Sequence, residues 1–342
     1  MRSQLTAAVL LSASAIPADA QTRTAGAVDF SRAETPITSF PANIPAVGPT
    51  ALHIQILLDR AYFSPGILDG AWGLNAGKAL AFYADPGGNA RFTGRTPPPL
   101  STIDKSTYER LRRAAGDRPL LRRYTLTAAD LAGPFTAIPK LVYDQAKLRC
   151  LCYSSAAEAL AERFHTSEKL LGQLNPKVDL QRLRQGTQLV VPNVLEANVA
   201  SAMDTVIVAR LIISRTGFWT HAVDANGTIL AHYPSTLGSG YDPSPIGKLT
   251  VTHVARDPAF HYQPKLFYEV PSSNPTAMLP PGPNSPVGRV WMALSRKHYG
   301  IHGTSSPETI GYAQSHGCVR LTNWDALQLS DLVEPGTPVE FH

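Results

Sequence analysis

"HYGIHGTSSPETIGYAQSHGCVRL", residues 298–321, places His302 sixteen positions ahead of Cys318, which directly follows Ser315, His316 and Gly317. A thiol becomes a useful nucleophile when a nearby base or positive dipole lowers its pKa from about 8.5. Histidine is the side chain suited to taking that proton near neutral pH. Gly317 has no Cβ, so the backbone can approach a substrate carbonyl closely there. Successive N–H groups at such a turn can hold the oxyanion that forms when a thiolate attacks. The pattern fits cysteine acyl transfer. Two plainer readings compete with it. A lone cysteine is usually a small buried hydrophobe, and His298, His302, His316 and Cys318 are all types that ligate zinc. Neither motif holds an acidic ligand, and the glycines suit backbone contact with substrate, so no metal and no other cofactor is expected.

Around these motifs the chain reads as short strands from about residue 204 onward. "TVIVARLIIS" is β-branched and apolar, and Asn226-Gly227 separates two further runs, as in a tight type I′ hairpin. "IGKLTVTHV", "GRVWMALS" and "GTPVEFH" add more strands. "IHGT" followed by "SHGCVRL" resembles the signature of the L,D-transpeptidase catalytic domain, and "SPIGKLTV", "PPGPNSPVGRVWMAL" and "LTNWDALQLSDLVEPGTPV" resemble its other segments in order. The resemblance covers residues 203–342. Ser244 and Ser285 depart from the family pattern, and both are far from Cys318 in sequence. The resemblance implies Cys318 as nucleophile, His302 as its base and the Gly303 carbonyl as the group that orients the imidazole. It implies an oxyanion site made by the N–H groups of His316, Gly317 and Cys318, with Ser315 in the same turn. Arg320 either pairs with a substrate carboxylate or braces the loop. Tyr299 and Trp291 wall the cleft or belong to the core, and His316 is a second acid or base or a structural hydrogen-bonding group. The expected substrate is a peptidoglycan stem tetrapeptide, attacked to give a thioester. An amine resolves it in transpeptidation or water in L,D-carboxypeptidation, the alternative being a non-catalytic wall-binding protein.

Upstream, "TALHIQILLDRAYFSPGILDGAWGLNAGKALAFYA" reads as two helices around a turn, with Thr50 and Asn75 as caps. It resembles a peptidoglycan-binding helical domain, placed at 49–125 with its extension. "YSSAAEALAERFHTSEKLLGQLNP" reads as two more helices. Ser155 and Glu158 form a capping box at the start, and Asn175-Pro176 ends the second. With "KLRCLCY" before and "GTQLVVP" after as strands, residues 147–193 resemble a lysin-motif module, which implies contact with glycan strands.

The first twenty residues have the layout of a secretory signal with Ala18-Asp19-Ala20 as cleavage site. An exported, periplasmic or wall-associated protein with no membrane span follows. Residues 21–48 read as a flexible lead-in. Three cysteines make no disulfide scaffold, and Cys150 and Cys152 are expected to be buried or loosely paired. A net charge of +5 with scattered basic residues does not suit nucleic acid. The expected architecture is multidomain α+β: a small helical domain, a strand-helix-helix-strand module and a mainly β, β-sandwich-like catalytic domain.

Overall fold

Pro49 opens the first helix of the chain. Proline has no N–H to leave unpaired at this position, and helix α1 (Pro49–Arg60) begins there behind Gly48, so Thr50 lies inside the helix instead of capping it. The computed structural model describes residues 28–85, 95–116, 118–194, 207–267 and 269–342. The secretory segment expected at 1–20 lies outside these. Helix α2 (Leu74–Tyr83) starts one residue before Asn75, whose amide donates to the Ile310 carbonyl at 2.8 Å instead of capping. Part of the expected lead-in is ordered: a 3-10 turn at Phe30–Glu34 buries Phe30 and Ala33 against α1. Helix α3 (Lys105–Ala115) is capped by Asp104, which accepts the Thr107 N–H at 2.9 Å.

The strand-helix-helix-strand order expected over 147–193 is corrected: the strand before the helices lies upstream of that span, and three helices separate it from the strand that follows. Strand β1 (Leu121–Thr125) pairs antiparallel with β2 (Gln188–Pro192), whereas residues 147–153 form no strand. Cys150 and Cys152 are joined by a disulfide with their Cα atoms 5.2 Å apart. Two residues of a strand advance about 6.6 Å, so the bonded pair bends the chain out of extended form. Between the strands stand α4 (Val142–Gln145), α5 (Ala156–Arg163) and α6 (Glu168–Leu174). Ser155 Oγ accepts the Glu158 N–H at 3.0 Å as the cap, but the Glu158 carboxylate accepts the N–H of Ser154, one residue ahead of the cap, at 2.5 Å, so only half of the expected capping box forms. Asn175 ends α6 and ties it to β2 by accepting the Val190 N–H at 2.7 Å.

The C-terminal part is one eight-stranded mixed sheet. Its strands are β3 (Arg210–Ser214), β4 (Trp219–Val223), β5 (Ile229–Pro234), β6 (Gly247–Arg256), β7 (Val290–Leu294), β8 (Gly300–His302), β9 (Val319–Arg320) and β10 (Pro338–Phe341), in spatial order β9-β8-β7-β6-β10-β3-β4-β5. The two halves of this ladder are joined by one strand. Strand β6 pairs with β10 through residues 247–250 and with β7 through 251–256, so one long strand joins the two halves into a single ladder. Both halves contribute to one core with helix α7 (Asn323–Leu332), which adds Ala326 and Leu329. Gly227 has φ +81° but Asn226 does not share that region, so the hairpin is not type I′. Asp224 instead accepts the N–H groups of Asn226 and Thr228 in a longer loop.

The helical segments at 49–125 and 147–193 share one core, which extends onto the sheet through Ile212, Trp219, Val223 and Ile229. Phe82 of α2 packs edge-on against His221, whose Nε2 is 2.8 Å from His232 Nδ1. Burial holds His232 down to about 3 and His221 well below the usual imidazole range. An unfolded chain takes up protons on both near 6.5, so their contribution to stability is present above that pH and lost as pH falls toward 3. The buried Asp325 carboxyl, pushed up to about 7, acts in the opposite sense. Glu162 and His165, both raised, act in the same sense as Asp325, but with His53, His221, His232 and His302 all depressed, the unfolding midpoint is expected to drop between pH 6.5 and pH 4. A midpoint that stays level or rises over that range refutes it.

Residues 138–151 leave this core and pack on the C-terminal half. Leu151 is fully buried with Tyr262 and Leu279, its N–H donates to the Pro281 carbonyl, and its own carbonyl accepts the Asn284 N–H, both at 2.9 Å. Gly282 has φ +146°, and a Cβ there would lie 2.2 Å from the Leu151 carbonyl oxygen, so the two backbones meet where only glycine fits.

Candidate active site

Strands β8 and β9 run parallel with Ile301 opposite Val319 and His302 opposite Arg320, so the short ladder brings both sequence motifs to one place. His302 and Cys318 line the same cleft of about 810 Å³, together with Phe260, Phe267, Trp291 and Tyr299. One wall comes from outside the sheet, from Val142 and Gln145 of α4.

His302 is buried, and its Nδ1 is 2.7 Å from the Gly303 carbonyl oxygen. A carbonyl only accepts, so Nδ1 carries the proton, and in the neutral ring Nε2 is left as a base. Trp291 stacks on the imidazole with centroids 5.4 Å apart. Burial, reinforced by the nearby Arg320 charge, lowers the imidazole to about 3, against a smaller upward pull from the Gly303 bond. His302 is therefore unprotonated at neutral pH.

Cys318 is the free cysteine among the described residues and is half-buried. Its Sγ donates to the His298 carbonyl at 3.5 Å, a long contact typical of sulfur. His298 has φ +69°, uncommon for a residue with a Cβ. Its side chain is exposed while its carbonyl faces the thiol. The expectation that the surroundings lower the thiol pKa is corrected. Burial pushes it up, and a bond from the Gly300 backbone and the Arg320 charge offset only part of this. The shifts at both groups favour their uncharged forms.

The turn that carries Cys318 is held from several sides. Ser315 Oγ donates to the Cys318 carbonyl at 2.6 Å. Gly317 has φ +94°, and a Cβ there would come within 2.8 Å of the Tyr299 ring. Tyr299 thus supports the turn and lines the cleft, with the Arg296 guanidinium 4.9 Å from its ring centre. Ser244 is close to the thiol in space despite its distance in sequence: its Oγ accepts the Gly238 N–H at 2.8 Å and donates to the Gly317 carbonyl at 2.9 Å. Ser285 is fully buried in the turn before β7. His316 Nε2 is 2.8 Å from the Glu269 carboxylate, with the ring edge-on to Phe267. Arg320 Nε is buried, and among the described residues no carboxylate pairs with this guanidinium. Arg320, Gln145 and Pro286 also border a second, polar cavity of about 640 Å³ lined by Glu158, Thr304 and Ser306. Among the described residues no three His, Cys, Asp or Glu side chains converge as a metal site.

Residues 209–341 match the family model of the YkuD L,D-transpeptidase catalytic domain. This part of the chain is a YkuD-type L,D-transpeptidase domain. It is 27% identical over 182 residues to the Bacillus licheniformis protein named L,D-transpeptidase YkuD, a match that spans 53% of this chain and 90% of that one. The Bacillus subtilis protein of the same name is 28% identical over 181 residues, spanning 53% and 90%. Among solved structures, L,D-transpeptidase 3 from Mycobacterium tuberculosis superposes with a TM-score of 0.33 at 15% identity, over 47% of this chain and 76% of that one. No helix among the described residues is long and apolar enough to cross a membrane. Sequence reading assigned no site role to three residues that touch this cleft or the turn that carries Cys318, namely Gln145, Ser244 and Glu269. Ser244 had a signal, its place in "SPIGKLTV", whereas Gln145 and Glu269 come from segments with no motif.

Proposed function

We propose that this chain is a peptidoglycan L,D-transpeptidase that works through a cysteine thioester. The observation that carries the reading is the His302 Nδ1–H bond to the Gly303 carbonyl, which leaves Nε2 free as a base in the cleft that holds the Cys318 thiol. His302 Nε2 takes the thiol proton as Sγ bonds to the carbonyl carbon of the third residue of a stem tetrapeptide. The N–H groups of His316, Gly317 and Cys318 receive the developing oxyanion. The C–N bond then breaks, the departing D-alanine amine takes the proton from His302, and a thioester remains. An acceptor amine attacks that thioester and gives its proton to His302. The C–S bond breaks and the thiol is restored, leaving a cross-link from third residue to third residue.

Several features support these roles. A cleft of about 810 Å³ is within the size range of sites that enclose a small ligand. Its aromatic lining limits the water that would divert the thioester to hydrolysis. The unpaired Arg320 guanidinium suits a carboxylate of the stem, since a buried cation without a counter-ion is costly until an anion arrives. The helical segments, by their resemblance to wall-binding modules, would face the glycan strands of an exported enzyme's substrate.

The test is mass spectrometry of purified protein with a disaccharide tetrapeptide. The expected result is loss of D-alanine and an acyl adduct on the peptide containing Cys318, followed by a cross-linked dimer. Monomeric tripeptide alone would make the enzyme an L,D-carboxypeptidase, and no adduct would overturn the thioester.

A further inference from the structure

Helix α5 lies outside residues 209–341, yet its Glu162 reaches the catalytic half. Glu162 Oε1 accepts the Tyr153 hydroxyl at 2.6 Å, and Oε2 accepts the Asn323 amide at 2.8 Å. Asn323 is fully buried at the start of α7. Its Nδ2 also donates to the Pro283 carbonyl at 3.1 Å, while its Oδ1 accepts the Arg289 N–H at 3.1 Å. Both donors and the acceptor of this amide are engaged, so it has one orientation. Turning it over would set N–H against N–H at Arg289 and oxygen against oxygen at Glu162 and Pro283.

The amide occupies a slot that two glycines keep open. A Cβ on Gly288 would lie 2.0 Å from Asn323 Oδ1, and one on Gly303 would lie 2.2 Å from the same atom. Gly303 supplies the carbonyl that holds His302 Nδ1–H at 2.7 Å. The Asn323 amide therefore packs directly on the peptide that orients the base, and Glu162 fixes the position of the amide.

We propose that Glu162 is a positioning residue for His302, acting through Asn323 and the backbone at Gly288 and Gly303. The inference rests on the cysteine chemistry proposed above and adds that the helical half of the chain shapes the active site. A side chain that merely ties two parts of the fold together would influence stability alone. A positioning residue changes the chemistry of the folded protein, because small errors in the placement of a catalytic group lower rates steeply.

The experiment uses the full chain, with its Cys150–Cys152 disulfide intact and Cys318 as the free thiol. Three quantities are measured: the rate of Cys318 alkylation by iodoacetamide at pH 7, kcat and KM for D-alanine release from a tetrapeptide, and the unfolding midpoint. His302→Ala sets the floor for alkylation. Glu162→Ala is expected to move alkylation toward that floor and to lower kcat about tenfold, with KM changed by less than about twofold. Glu162→Gln keeps an acceptor oxygen toward Asn323 and should stay near wild type. Asn323→Asp sets oxygen against oxygen at both Glu162 and Pro283 and should be impaired, whereas Glu162→Gln with Asn323→Asp restores a donor and an acceptor at the first of these contacts and should recover in part. The proposal is overturned if folded Glu162→Ala alkylates and turns over at wild-type rates, or if the double variant is no better than Asn323→Asp. Should the wild type release no D-alanine, the stem-peptide reading fails, while the alkylation arm still decides whether Glu162 acts on the thiol's base.

Discussion

Cys318→Ala will abolish D-alanine release, and His302→Ala will lower kcat about 10²- to 10⁴-fold, the usual worth of a positioned general base. The two losses differ because removing sulfur removes the bond-forming atom, whereas without the imidazole a slow route through solvent remains. The pH dependence follows from the shifts at the two groups. His302 stays unprotonated down to about 3, so it produces no acid limb between pH 5 and 7. Burial raises the Cys318 thiol, so the thiolate fraction and the alkylation rate should keep climbing through the alkaline range beyond an ordinary thiol. A plateau in alkylation from pH 5 to 7 would instead indicate a preformed thiolate–imidazolium pair and sink this account of the resting state.

A fragment beginning at residue 207 is expected to lose its fold, and with it activity on sacculi and on a small tetrapeptide alike. The helical half covers Ile212, Trp219, Val223 and Ile229 of the sheet. Exposing side chains of this kind costs about 1.5–3 kcal/mol each, roughly 6–12 kcal/mol for the four. That is comparable to the whole stability of a typical domain, about 5–15 kcal/mol. The fragment would also expose the His221–His232 pair and lose the Asn75 bond to Ile310. Circular dichroism, a thermal melt and a tetrapeptide assay on the purified fragment check this. A cooperative melt with full tetrapeptide turnover would show that the N-terminal half only tethers the enzyme to its polymer.

The parts of this protein that could be read from sequence are those that depend on neighbours in the chain. The cap at Ser155, the stop at Asn175 and the apolar runs of the sheet all follow from local periodicity and local hydrogen bonds. His302, Gly303 and Cys318 were named together through the resemblance of their two motifs to the L,D-transpeptidase signature, and the structure sets the two motifs on adjacent short strands. What was not readable depends on contacts between distant segments. Strand β1 was hidden in a charged stretch because its partner lies some sixty residues on. Asn75 looked like a cap, yet its amide serves a carbonyl 235 positions away. The thiol pKa was expected low from the neighbouring histidine, but burial, which no local pattern reports, outweighs it.

The excursion that wedges Leu151 against Gly282 and Asn284 also bears on how the polypeptide is made. Asn284 Nδ2 donates to the Cys152 carbonyl across a separation of 132 residues. At about 5–20 residues per second of synthesis, the apolar surface around Leu151 stays without its cover for on the order of ten seconds. The segment around Leu151 thus cannot complete its packing until Leu279, Pro281 and Asn284 are available. During that interval Leu151, Val142 and Ile138 would offer a binding surface to a holdase.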